Sequence, residues 1–150
     1  MWVKTGEYDS NGVARALSMY QFCKALSANK KKIVERYNPD VVISSSTYPL
    51  DSYPAYHIAK LAGAKYIHEV HDMWPLTLYE AGGMSKKNPF VIAMQFAENH
   101  AYKKSDVVVS LLPHAKDYMI DHGMKPNHFR YIPNGVVINE WDAAKELPEE

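Results

Sequence analysis

The chain has 150 residues, of which 47% are hydrophobic, so it is long enough for one domain with a core and too apolar for a disordered tail. Lys and Arg together number 17, as do Asp and Glu, and the formal net charge of zero argues against a general nucleic-acid-binding protein. The single cysteine, Cys23, excludes an internal disulfide and fits a reducing compartment, so we expect a cytoplasmic protein.

The first half of the chain alternates between short apolar runs and longer helical patterns. The segment "WVKT" (2–5) predicts a short strand, and residues 13–37 predict one helix or two from apolar positions near helical spacing. "NPDVVISSS" (38–46) predicts a turn, a buried strand and a polar tip. A helix over 50–64, ended by a glycine, and a strand over 65–72 follow.

The second half of the chain continues the same alternation. A helix is predicted over 88–105 and a strand of β-branched residues over 106–111. A second helix over 113–123 precedes a short strand within 128–136, which runs into Pro-Asn-Gly. The acidic remainder, residues 137–150, is typical of a linker.

The alternation of strands and helices predicts an α/β fold with a parallel sheet and helices on both faces. The runs "VVIS" and "VVVS" are apolar on successive residues, as is typical of strands that are covered on both sides. Ligands of such sheets bind beyond the carboxyl ends of the strands. The segments to consider are therefore Ser44–Thr47, His71–Trp74, Ser110–Pro113 and Asn134–Gly135.

The motif "HEVHD" ends the third predicted strand and carries the densest polar chemistry. Alternation along a strand places Glu69 and His71 on one face and His68 and Val70 on the other. We expect His68 to be a hydrogen-bonded histidine under a helix, and His71 to reach a ligand. Asp72 could cap the following turn or orient a ligand. The histidine spacing differs from H-E-x-x-H, and no zinc site is expected.

Hydroxyl groups follow the second predicted strand. Ser45 and Ser46 could bind sugar hydroxyls or a phosphate, and they could equally cap the next helix. Trp74-Pro75 is interpreted as a packing and turn device, and Glu98 as a solvated residue or one that pairs two helices. The chain contains neither G-x-G-x-x-G nor G-x-x-x-x-G-K-[ST], so the residues themselves give no nucleotide-binding loop.

Two long segments resemble the amino-terminal domain of the family 4 glycosyltransferases. They are "PDVVISSSTYPLDSYPAYHIAKLAGAKYIHEVHDMWP" and "AENHAYKKSDVVVSLLPHAKDYMIDHGMKPNHFRYIPNGV". The chain looks most like the bacterial subgroup that builds surface polysaccharides such as capsule and lipopolysaccharide, in which the corresponding strand ends in E-V-R-D-x-W-P. The resemblance covers nearly the whole chain.

The resemblance implies a GT-B enzyme with two Rossmann-like domains and a cleft between them. In this architecture the first domain holds mainly the acceptor and the second holds most of the nucleotide-sugar, and the reaction is typically retaining, without metal or cofactor. His71 lies where many members have a histidine that faces the donor sugar, whereas the closest subgroup usually has arginine. The implied catalytic residues are His71 and Asp72, and the implied cleft residues are Ser45, Ser46, Glu69, Asn134 and Gly135.

The chain also departs from the family pattern. The family's opening strand with its Gly-rich loop is missing, as is the second domain, so we expect residues 1–136 to be an incomplete amino-terminal domain with little activity alone. The expected partners are a nucleotide-sugar, a glycan or lipid-linked sugar acceptor, the inner face of the cell membrane and a second copy at an exposed sheet edge. The alternative is a non-catalytic α/β binding or assembly module that pairs with another chain.

Overall fold

The computed structural model describes residues 3–7, 12–45 and 47–139, and these form a four-stranded parallel sheet with the strand order β1-β2-β3-β4. The strands are β1 (Val41–Ser44), β2 (Lys65–Val70), β3 (Val107–Ser110) and β4 (Phe129–Tyr131). The helices are α1 (Val13–Tyr37), α2 (Ser52–Ala62), α3 (Leu76–Glu80), α4 (Pro89–Lys104) and α5 (Lys116–Asp121).

The predicted α/β fold class, Rossmann-like with a parallel sheet, is confirmed, and most elements lie where the sequence indicated. Residues 13–37 form one helix. The strand predicted over 2–5 is wrong for residues 3–5, which have no regular structure. The helix predicted over 50–64 is preceded by a 3₁₀ turn, Pro49–Asp51. Residues 137–139 follow the sheet, and 140–150, the rest of the predicted linker, lie outside the described residues.

Helix ends follow the local signals in the sequence. Gly63 ends α2 with a φ of 69°, a left-handed conformation that glycine adopts without a Cβ clash. Asn88 caps α4, since its side chain accepts a hydrogen bond from the backbone N–H of Phe90 at 2.8 Å, and Pro89 occupies the first helical position. Local signals in the sequence therefore define the C-terminal end of α2 and the N-terminal end of α4.

The core lies between the sheet and one layer of helices. Ala55 and Ala59 of α2 pack on Tyr66, while Tyr102 of α4 packs on Val70 and Val108. Met119 of α5 joins the second of these clusters. Each strand adds beside the previous one in sequence order, and right-handed crossovers in one direction place successive helices on the same face.

The opposite face of the sheet is less covered than the sequence suggested. Val41 and Ile43 point to this face and are 46% and 56% exposed, and the side chains of Ile67, Val107 and Val109 beside them are only partly buried. Within the described part of the chain, α2, α4 and α5 lie on the other side. The apolar runs of β1 and β3 predicted that both faces of the sheet are buried, whereas in the described residues only one face is.

Candidate active site

A hydrogen-bonded group of three side chains lies at the carboxyl edge of the sheet. Ser45 Oγ donates to Glu69 Oε2 at 2.5 Å and lies 3.0 Å from His71 Nε2. His71 Nε2 is in turn 3.4 Å from Glu69 Oε2. Because the one hydroxyl proton of Ser45 goes to Glu69, His71 Nε2 donates to Ser45 Oγ, and Nδ1 of the neutral ring is left as an acceptor. Three of the predicted site residues are thus brought together.

Strand pairing explains this meeting of residues that are far apart in sequence. The parallel register of β1 and β2 pairs Ser44 with His68, so the next residues, Ser45 and Glu69, are also neighbours. His71 lies two residues beyond Glu69 and on the same side. The predicted division of "HEVHD" between two faces of the strand is therefore confirmed.

On the other face, His68 is a core residue, as the sequence predicted. It is 5% exposed, its Nδ1 lies 2.9 Å from Ser44 Oγ, and its ring meets the ring of Tyr102 edge to face. Burial, with a smaller contribution from nearby His100, lowers the pKa of His68 to about 4. His68 is therefore neutral near pH 7, and it packs in the core on the face of β2 opposite to Glu69 and His71.

Asp72 caps the turn that follows β2. Its Oδ1 accepts hydrogen bonds from the backbone N–H of Met73 at 2.9 Å and from Thr77 Oγ1 at 2.8 Å, and its Oδ2 accepts from Trp74 Nε1 at 3.3 Å. The Trp74-Pro75 peptide bond in this turn is cis. Of the two roles left open by the sequence, the capping role is visible in these contacts, and the catalytic role stays a prediction.

Glu98 is a buried acid that the sequence did not identify as part of the site. It is 2% exposed and accepts hydrogen bonds from Tyr102 Oη at 3.0 Å, Tyr118 Oη at 2.9 Å and Gln95 Nε2 at 2.8 Å. Burial raises the pKa of its carboxyl to about 7, although the three donors oppose the rise. The solvated interpretation is wrong, and the inter-helix interpretation holds, because Tyr118 lies on α5.

A small cleft of about 10 Å³, room for about one water molecule, lies at the carboxyl ends of β1 and β2 beside the Ser45–Glu69–His71 group. Its polar lining residues are Thr47, Tyr48, His68, Glu69, Asp72 and Glu98, and Trp74 and Tyr102 supply aromatic surface. The Glu98–Tyr102 spacing of four residues was the sequence signal for one wall, since such residues share a helix face. The cleft itself is too small to enclose a sugar, but the hydroxyl, carboxyl and aromatic groups at this edge of the sheet can contact a polyhydroxylated ligand from outside.

The remaining predicted site residues are not joined to this group. Asn134 and Gly135 follow β4 in an exposed segment, and no hydrogen bond links them to Ser45, Glu69 or His71 among the described residues. A Cβ added to Gly135 would meet nothing within 4 Å, so this segment is open. Ser46 lies outside the described residues.

Two features are absent from the residues that the structure describes. Over 3–7, 12–45 and 47–139, no three His, Cys, Asp or Glu side chains are grouped so that they could hold a metal ion. No helix in these ranges combines the length and the apolar character that crossing a membrane requires.

Comparisons with known proteins agree with this architecture. The sequence profile described as "Glycosyl transferase 4-like domain" matches residues 2–135. The fold is similar to Anabaena Alr3699/HepE in complex with UDP and glucose, with a TM-score of 0.53 and 14% identity over 87% of this chain and 36% of that chain. For the complex with UDP-glucose, the values are 0.50 and 13% over 86% and 30%. The chain thus spans about a third of these solved structures, and no curated protein matches it significantly.

Proposed function

Because this chain belongs to the family of glycosyl transferase 4-like domains, we propose that it forms the acceptor-side domain of a GT-B enzyme that transfers a sugar from a nucleotide-sugar to a glycan. The observation that carries the proposal is the Ser45–Glu69–His71 group, which lies at the carboxyl ends of β1 and β2, the edge where parallel sheets bind ligands. The likeness to structures solved with UDP and UDP-glucose supports a nucleotide-sugar as the donor.

In this proposal, His71 is the residue that contacts the substrate. With Nε2 directed at Ser45, its Nδ1 has no partner among the described residues and can accept a hydrogen bond from a sugar hydroxyl. In its protonated form the same nitrogen would donate to a donor phosphate. Glu69 and Ser45 orient the ring in either case, and Asp72 shapes the turn that follows it.

The finer assignments rest on the resemblance of the motif blocks. We propose a retaining reaction, a lipid-linked acceptor and a role in bacterial surface-polysaccharide synthesis, carried out in the cytoplasm at the inner face of the membrane. Val41 and Ile43, half-exposed residues of the edge strand β1, support self-association or the packing of a further polypeptide on the sheet. Asn134 and Gly135 would form the turn toward a second domain.

The first experiment is calorimetric titration of UDP-glucose, with a transfer assay, on this chain and on the same chain extended through any downstream coding sequence. We expect the extended form to bind and consume the donor, and His71→Ala to lower its kcat/KM by about 10²-fold or more, the size of effect typical of a lost acid–base contact. The shorter chain is expected to bind donor weakly.

The matched control is His57→Ala, which removes an exposed histidine from α2. It should leave kcat/KM within about twofold of the unmodified protein, as expected for a surface substitution outside the site. If His71→Ala and His57→Ala behave alike in an active protein, His71 has no part in the reaction. If no extended form binds any nucleotide-sugar, the binding-module alternative replaces the transferase proposal.

A further inference from the structure

Another pocket lies at the opposite end of the sheet, where β2 begins. Its volume of about 210 Å³ is below the roughly 300 Å³ at which sites for drug-sized ligands begin, so it has room for a compact ligand. The end of α2, the start of β2 and the end of α4 form its walls. Three lysines line it, Lys60, Lys103 and Lys104, and we call it the lysine pocket.

The ammonium groups of the lysine pocket have no carboxylate partner. Among the residues that the structure describes, none of the three lysines forms an ion pair. One acid, Asp106, also lines the pocket. Its Oδ2 accepts a hydrogen bond from the backbone N–H of Tyr66 at 2.9 Å, and its Oδ1 lies 3.7 Å from Nζ of Lys65, which is not part of the lining. Asp106 is therefore already paired, and it leaves the charges of the three lysines uncompensated.

Lysines at the end of a helix have an ordinary structural role, which accounts for only part of this charge. Lys60 lies in the last turn of α2, and Lys103 and Lys104 lie in the last turn of α4. The carboxyl end of a helix carries the equivalent of about half a negative charge. The two helix ends therefore offset about one of the three lysine charges, and an excess of roughly two positive charges remains in the pocket.

Contacts with neighbouring groups hold the lysine side chains at the pocket. Nζ of Lys60 and Nζ of Lys104 lie 5.8 Å and 5.6 Å from the centroid of the Tyr56 ring, which makes both of them cation–π contacts. A Cβ added to Gly123 would lie 2.5 Å from Cε of Lys103, so the Lys103 side chain packs directly on this glycine. Side chains that are already held lose less conformational entropy when a ligand binds. The lysine pocket is thus better prepared for an anion than lysines that extend freely into solvent.

The lysine pocket is separate from the candidate active site. Tyr66 lines the pocket, and His71 lies five residues farther along the chain, a distance of roughly 16 Å at about 3.3 Å per residue of strand. A ligand compact enough for the pocket does not span this distance. A ligand in the lysine pocket therefore binds at the amino end of β2, without contact to the Ser45–Glu69–His71 group at the carboxyl end.

We propose that the lysine pocket binds a compact anion with two phosphate groups, such as inorganic diphosphate or a small metabolite that carries a diphosphate. The charge of this ligand is complementary to the positive excess of the pocket, and lysine ammonium groups bind phosphate as point charges. Because it binds at the opposite end of the sheet from the candidate active site, the ligand is an effector and not a substrate. The proposal does not depend on the transferase function.

The test is calorimetric titration of inorganic diphosphate into the 150-residue chain at constant pH and low ionic strength, with EDTA to remove metal ions. We expect diphosphate to bind at least about fivefold more tightly than inorganic phosphate, and added salt to weaken the binding, because salt screens exposed charges. Combining Lys60→Gln with Lys104→Gln removes two of the charges and should weaken diphosphate binding by about tenfold or more.

Two further double variants separate the charge of the pocket from the net charge of the chain. Lys87→Gln with Lys116→Gln removes the same charge at exposed positions outside the pocket and should leave the Kd within about twofold. Lys60→Arg with Lys104→Arg keeps both charges and should retain most of the affinity. Circular dichroism verifies that each variant is folded, and the single variant Lys103→Gln replaces the first pair if that pair does not fold.

Several results would overturn the proposal. If diphosphate does not bind, the lysines only complement the ends of α2 and α4. If the pocket variants and the Lys87→Gln, Lys116→Gln control weaken binding equally, net charge alone attracts the ion. The chain is also mixed with vesicles of phosphatidylcholine and phosphatidylglycerol. Vesicle binding that requires Lys60 and Lys104, without binding of diphosphate in solution, would assign the lysines to a membrane surface instead.

Discussion

Side chains that are neighbours in sequence have opposite environments at the edge of this sheet. His68 is buried against Ser44 and Tyr102, whereas His71 is exposed and contacts Ser45 and Glu69. The strand period of two made this division predictable. The burial of Glu98 was not predictable, because it depends on Tyr118, a residue of another helix twenty positions along the chain. The role of Asp72 could not be chosen from sequence either, since capping and ligand binding favour the same residue types.

Glu98 provides a prediction about pH. Its pKa is about 7 when folded and 4.5 ordinarily, so the folded state retains a proton that the unfolded chain releases, and stability falls as the pH rises from 4.5 through 7. Glu98→Gln cannot lose this proton. Its free energy of unfolding, relative to the unmodified chain, should therefore rise between pH 5 and pH 8, by roughly 3 kcal/mol at most.

Urea unfolding of both proteins at the two pH values measures this difference, and the contribution of other titrating groups such as His68 cancels in the comparison. Glu80→Gln is the control, because Glu80 is an exposed acid on α3. A difference between Glu98→Gln and the unmodified chain that stays constant from pH 5 to pH 8 would contradict the assignment of a shifted carboxyl to Glu98.

At the scale of elements, the long periodic segments were predicted well, and the shortest helix, α3, was not. Residues 13–37 and 88–105 carry enough helical pattern to define α1 and α4. Helix α3 has five residues, too few for a periodic signal, and was not predicted. Helix α5 lies within the helix predicted over 113–123 but is shorter, with six residues. The register between β1 and β2, which forms the site, depends on long-range pairing that one sequence does not reveal.

The link between β1 and β2 provides a prediction at this scale. Ser44 Oγ lies 2.8 Å from Tyr66 Oη and 2.9 Å from His68 Nδ1, so one hydroxyl of β1 serves two polar groups of β2. Ser44→Ala leaves both without this partner in a buried place and should lower the free energy of unfolding by about 1–3 kcal/mol. Ser45→Ala, next to it but exposed, should change stability by less than about 0.5 kcal/mol. Equal effects in denaturant unfolding would show that the buried hydroxyl is not stabilising.

On the scale of the whole molecule, the strands and helices of the described residues leave the second face of the sheet partly open. The fold class followed from the alternation of strands and helices. Whether the helices cover one face of the sheet or both did not follow from it, because this depends on the strand order. Val41 and Ile43 expose apolar surface on the edge strand β1, an arrangement that favours association.

This surface gives the prediction at the largest scale. Ile43→Lys places a charge on the open face and should shift the isolated chain toward monomer in sedimentation velocity measured across a range of concentrations. Leu61→Lys, at an exposed leucine of α2 away from this face, is the matched control and should leave the distribution unchanged. If the isolated chain is monomeric at all concentrations, or if both variants behave alike, the open face does not drive association.

The strand order has a consequence for biosynthesis. Because β1, β2, β3 and β4 follow one another both in sequence and in space, each strand that leaves the ribosome finds its neighbour already present. Each pairing joins strands that are consecutive in the chain, and domains commonly begin to fold while synthesis continues. The sheet can therefore grow in one direction during translation, and the Ser45–Glu69–His71 group can be complete once β2 has docked on β1, before β3 is made.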